Sequence, residues 1–260
     1  MAAPAEAGAD AGPGPGGPGL RRLGWAGLGV ALVSFLVGLL VASTLGLAWA
    51  TSRGLDQAEA PRDLGFAVVS SVGLWVGFLG LPLLWSRWQG GGGRLLGLGA
   101  RWTDLPLGLA AGLGSSLATG VISSILLSPP QKEALESKAR ETVDRASGPA
   151  AVVLLVAVLC VATPIAEEVF FRGLLFRSLH RLAGLAVAVP IAALVFGLVH
   201  YDPEPVPGVV VAVQLGLLGL FGAVLCLLTH RTGRLAAGIV AHAAFNAVTV
   251  IALLVQGPRG

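Results

Sequence analysis

Charged residues punctuate this chain so sparsely that its architecture can be read from the gaps between them. Seven runs carry no Asp, Glu, Lys or Arg: 23–52, 64–86, 105–131, 146–166, 182–201, 205–230 and 235–258. Each is about 20 residues or longer, the length at which an apolar helix rising 1.5 Å per residue crosses roughly 30 Å of hydrocarbon. The pattern predicts an all-α fold, a polytopic membrane helix bundle with about seven transmembrane helices. Residues 1–22, rich in Ala, Gly and Pro, cannot bury enough apolar surface to offset ordering and read as a disordered tail. Arg21 and Arg22 before an apolar run imitate a secretory signal, but Leu23 to Ala50 is longer than a signal's apolar stretch and reads as a retained first span. Residues 23–127 then hold three N-terminal spans, and residues 149–256 the remaining ones.

Two connectors, around Arg53 to Asp63 and at Gly90 to Gly93, carry no functional signal. A third, residues 128–148, is a charged extramembrane loop. Its acids and bases, Lys132, Glu133, Glu136, Lys138 and Arg140 among them, recur at i+3 and i+4 and predict a short helix outside the bilayer. That helix is either a solvated loop or a lid.

Composition sharpens the class. Of 260 residues, 55% are hydrophobic and 12% charged, with a mean hydropathy of +0.82. A soluble domain has about a quarter charged residues, so a soluble globular enzyme is excluded. The net charge of +3 is spread over loop arginines with no basic stripe, so no nucleic acid partner is expected; the partners expected are the lipid bilayer and a membrane-associated protein or peptide. Lys and Arg lean slightly towards an inside N-terminus, and abundant Ala, Gly, Pro and Arg with few Lys suggest a multi-pass protein of a bacterial cell membrane. Cys160 and Cys226 fall inside apolar runs and read as buried thiols. Trp25, Trp49 and Trp85 near span ends read as an aromatic belt, and Gly114-Ser115-Ser116 as a helix-packing face.

Against that background, polar residues at membrane depth are the candidate chemistry, because a charge there costs at least about 2.5 kcal/mol. Pro164-Ile165-Ala166-Glu167-Glu168-Val169-Phe170-Phe171-Arg172 places two carboxylates and an arginine in an apolar segment. Glu168 and Arg172, four apart, share a helical face and can neutralise each other, whereas Glu167 points about 100° away and is left free to act as a base or a metal ligand. Phe196-Gly197-Leu198-Val199-His200 closes a later run, and His242 and Asn246 share a face of the last span. If the chain turns near Ala183-Gly184, Glu167 and His200 each lie about 24 Å from the turn on antiparallel helices, at one depth. His242 and Asn246 lie near that level.

These three motifs, Glu-Glu-x-x-x-Arg, Phe-x-x-x-His and His-x-x-x-Asn in that order, resemble the CPBP intramembrane protease family, which includes CAAX prenyl proteases and bacterial abortive-infection and bacteriocin-immunity proteins. The resemblance runs from about Ala150 to Val255. It implies an intramembrane endopeptidase, a hydrolase in which Glu167 and His200 activate a water and His242 and Asn246 stabilise the oxyanion. Glu168 and Arg172, with Phe196, would support the site. Glu167, His200 and His242 also form a Glu-His-His set with the donors of a zinc or other divalent metal centre, and the residues leave direct glutamate chemistry and metal chemistry both open. Two other functions fit the same polar residues: a non-catalytic immunity or assembly protein of the family, and a transporter using the buried carboxylates. His180 and His230, beside arginines at helix ends, read as interfacial.

Overall fold

The computed structural model describes residues 23–201 and 206–257. The tail expected over residues 1–22 lies outside the described residues, as do Arg21 and Arg22. Among the described residues the chain is helical and forms no strand. Six helices are long and apolar enough to cross a membrane: α1 (Trp25–Arg53), α2 (Leu64–Trp88), then, after the short α3 (Gly92–Leu96), α4 (Asp104–Leu126), and later α6 (Pro149–Ala183), α8 (Gly208–Thr232) and α9 (Ala236–Gln256). Between them lie α5 (Pro129–Asp144) and α7 (Leu185–Leu198).

The seventh predicted span is the one that departs from expectation. Of the run 182–201, Leu182 and Ala183 complete α6, Gly184 makes the turn at φ 75°, and Val199 and His200 form a terminal turn. What remains is a 14-residue helix, α7, about 21 Å long.

Two long helices carry π turns, and each π turn stands just before a proline: Val76–Gly80 before Pro82 in α2, Val158–Ala162 before Pro164 in α6. A proline inside a helix removes one N–H and crowds the carbonyl four residues earlier, and widening the turn relieves both. A third π segment, Glu168–Phe176, begins directly after Glu167 and carries Glu168 and Arg172 of the Glu-Glu-x-x-x-Arg motif. Widened turns at this position belong with functional sites more often than chance allows.

Glycine permits close approach at two crossings. A Cβ on Gly77 would lie 2.2 Å from the Ser34 carbonyl of α1, and one on Gly112 would lie 2.4 Å from the Ala241 carbonyl of α9. Gly114 is exposed and would meet nothing within 4 Å, so of the Gly114-Ser115-Ser116 stretch the glycine takes no part in packing, and the close approach of α4 is made at Gly108 and Gly112. An aromatic ladder then joins the N-terminal helices to α6: Phe78 stacks on Phe170 at 4.2 Å, Phe170 meets Phe171 edge-on at 4.9 Å, and Phe171 meets Phe196 at 5.2 Å.

One end of the bundle is tied by arginines. Arg234 pairs with both Asp104 oxygens, at 2.6 and 2.9 Å, Arg177 donates to the Gly233 carbonyl, and the Leu235 N–H bonds Gly97. The Gly-rich connector is therefore docked, with Leu95 and Leu96 buried. Trp25, Trp88 and Trp102 are exposed there, while Trp85, expected in the belt, is buried. At the other end Trp49 and the backbone of Phe66 donate to Asp63, which caps α2. The Phe66 hydrogen bond holds the Asp63 carboxyl below its ordinary value, against partial desolvation and with help from Trp49. Cys160 and Cys226 are buried free thiols, as expected.

Candidate active site

α6, α7 and α9 deliver the predicted polar residues to one place. Gly184 is the pivot: from it α6 runs back to Glu167 and α7 forward to His200, and His200 Nε2 stands 4.0 Å from Glu167 Oε2. From α9, His242 Nε2 approaches the same oxygen at 3.8 Å. Both separations exceed a direct hydrogen bond and suit a shared water. Glu167 Oε2 is buried and has no other partner.

Behind this trio stands a second, fully buried layer. Glu168 Oε1 accepts from Arg172 Nη1 at 2.9 Å and from His242 Nδ1 at 3.1 Å. The pairing of Glu168 with Arg172 is the one their spacing predicts; the bond to His242 is one it does not reveal. Arg172, 1% exposed, also donates to the Gly222 carbonyl of α8 and lies 4.2 Å over the Phe196 ring. Phe196 thus packs against the arginine, while the His200 and His242 rings stand 4.7 and 5.9 Å from it.

The hydrogen bonds set both imidazoles. His242 Nδ1 faces a carboxylate and His200 Nδ1 the Phe196 carbonyl at 2.7 Å, so each Nδ1 carries the proton and each Nε2 turns its lone pair towards Glu167.

Asn246 is tied down by the proline. In the π turn the Thr163 N–H bonds Val158, five residues back; the next donor in that register would be residue 164, which is proline. The Leu159 carbonyl is left over, and Asn246 Nδ2 donates to it at 2.8 Å. One amide N–H is engaged there and the other is free for the cavity. Fixing α9 to α6 in this way was legible only as two polar groups on one face.

These groups floor a cavity of about 380 Å³ walled by Phe221, Phe245 and Leu253 and by Ala139, Thr142 and Val143 of α5. The charged helix therefore forms part of the cavity wall. Arg140, 8% exposed, fastens it to the end of α9 through Gln256 Oε1 and the Gly257 carbonyl. Phe221, which stands edge-on to His242 at 5.6 Å, and the α5 wall had no motif to announce them.

For a metal, the chemistry of the donors is suitable but their spacing is not. Ligands about 2.0–2.1 Å from a tetrahedral zinc lie about 3.4 Å apart, closer than the 3.8 and 4.0 Å seen here. Among the described residues no group of three His, Cys, Asp or Glu is placed to hold a metal ion. The Glu167, His200 and His242 set does not fit the ion as arranged.

Fold and site together define a multi-pass α-helical membrane protein with a Glu-His centre buried at membrane depth. Residues 149–248 match the family model described as type II CAAX prenyl endopeptidase Rce1-like, in agreement with the resemblance that the three motifs carry. No match is found among the curated proteins or among the solved structures.

Proposed function

We propose that the protein is an intramembrane endopeptidase that hydrolyses a peptide bond of a membrane-associated protein with a water activated by Glu167 and His200. The reading is carried by one observation: a single buried carboxylate oxygen, Glu167 Oε2, faces the Nε2 atoms of two histidines at the floor of a cavity. A protease-family match supports the reaction class. The unit that carries the chemistry is residues 149–256, with the helices of 23–127 as its scaffold and residues 128–148 as its cover. The setting proposed is a bacterial cell membrane.

Water held between Glu167 Oε2 and His200 Nε2 gives one proton to Glu167 as its oxygen attacks the scissile carbonyl carbon. The oxyanion that forms is met by the free N–H of Asn246, while His242, held at Nδ1 by the Glu168 carboxylate, keeps its Nε2 towards Glu167 and the water. Glu167 then passes its proton to the amide nitrogen as the C–N bond breaks. Acid and amine leave, and no step requires a metal.

The test is hydrolysis of a membrane-peptide library by purified protein in detergent, wild type beside Glu167→Gln, with and without a strong chelator. Expected is cleavage by the wild type, a loss of at least about a hundredfold in the variant, and no effect of the chelator. Cleavage that survives Glu167→Gln sinks the proposal, and cleavage abolished by the chelator sinks its metal-free chemistry.

A further inference from the structure

Most hydroxyls in these helices bond to their own backbone. Thr44, Ser71, Ser86, Ser116, Ser123 and Thr232 each donate to the carbonyl three or four residues earlier. Thr229 of α8 does not: it is 2% exposed, and its Oγ1 is buried with no partner. Glu168 is fully buried, and its Oε2 is likewise without one. The two face a common point. The Cβ position that Gly238 leaves bare lies 3.0 Å from Glu168 Oε2 and 3.9 Å from Thr229 Oγ1.

A buried carboxylate oxygen without a donor costs about 1–3 kcal/mol or more, and buried waters are found where two to four such groups converge. From the Thr229 hydroxyl, Glu168 Oε2 and the bare face of Gly238 we infer a built water site that makes Thr229 a positioning residue for His242. Thr229 donates to the water and the water donates to Oε2. With Oε2 held, the carboxylate plane cannot rotate, and Oε1 stays on His242 Nδ1. That in turn keeps the Nδ1–H tautomer and leaves Nε2 open towards Glu167, the arrangement by which partners outside the reacting set tune the groups within it. A methyl at 238 would press on Glu168 Oε2 at 3.0 Å and narrow the space between it and Thr229 that the water needs.

The inference rests on the proposed chemistry only for its consequence in turnover, so its test reads the imidazole directly. Protein labelled with ¹⁵N-histidine is measured in detergent at neutral pH, with the His242 signals assigned by their loss in His242→Gln. The wild type is expected to show a protonated Nδ1 and a bare Nε2. Thr229→Val, which keeps the shape and removes the hydroxyl, should mix the two tautomers; Thr229→Ser should restore the wild-type spectrum; and Gly238→Ala should reproduce the valine effect from the other side. Where hydrolysis is measured, Thr229→Val should lower kcat about tenfold with KM unchanged. A wild-type His242 spectrum in both folded Thr229→Val and folded Gly238→Ala overturns the inference whether or not the protein cleaves peptides. A tautomer shift in a protein that shows no hydrolysis upholds it and counts against the protease reading alone.

Discussion

Glu168 is the residue on which most of the site depends, because its two oxygens face four different residues. Oε1 is shared by a guanidinium and an imidazole, and Oε2 points towards Thr229 and Gly238. Glu168→Ala would leave Arg172 as an unpaired charge, 1% exposed and at membrane depth; a loss of about 3–5 kcal/mol is expected, read as a large drop in melting temperature in detergent. Glu167→Gln should melt as the wild type does, since Glu167 Oε2 has no hydrogen-bond partner to lose. At this scale the sequence was informative about partners along one helix and about depth. Counting residues on either side of Gly184 brought Glu167 to His200, and the four-residue spacing paired Glu168 with Arg172. It could not show that Glu168 reaches α9, or that Asn246 meets the Leu159 carbonyl. Both contacts depend on the rotation of one helix against another, and the π turns change that rotation without leaving a periodic trace.

Among elements, the crossings are set by where a side chain is missing. Gly77→Ala would drive a methyl into the α1 backbone at Ser34 and Gly38, and a destabilisation of about 1–3 kcal/mol is expected. Gly114→Ala meets open space and should leave the melting temperature unchanged, although the sequence marks Gly114 as readily as Gly112. The α2 terminus has its own pH signature. Because the folded Asp63 carboxyl sits below its ordinary value of 3.8, its contribution is complete above that value and fades as the pH falls through the lower, folded one. Replacing the cap with Asp63→Ala should cost about 1 kcal/mol at pH 7 and flatten this acid limb of stability, which melting curves taken across pH 2–6 will measure. The spans themselves were legible because an uncharged apolar run of about 20 residues matches the thickness of a bilayer's hydrocarbon and exceeds what a water-facing helix can carry. The shortness of α7 was not: the turn at Gly184 could be placed, but nothing in the apolar run 182–201 marks that the helix after it stops at Leu198.

For the molecule as a whole, the charged segment 128–148 is the part whose two readings, solvated loop or lid, differ in how water would reach the site. α5 lines one side of the cavity and is fastened by Arg140 to the end of α9. Arg140→Ala should loosen that side: a cysteine placed at Thr163, which lines the cavity, should react several-fold faster with a water-soluble maleimide in this variant than in the Thr163→Cys parent. Equal rates would mean that α5 does not govern access. The N-terminal helices, which carry no motif, brace the site through the Phe78, Phe170, Phe171 and Phe196 ladder and so connect packing far from the cavity to the arginine beneath it. The length of α7 has a consequence for the lipids. A rod of about 21 Å is shorter than about 30 Å of hydrocarbon, so a bilayer is expected to thin beside α7. Membrane thickness is thereby expected to bear on how readily water reaches the site, since long-chain lipids enlarge the mismatch beside α7 and short-chain lipids relieve it.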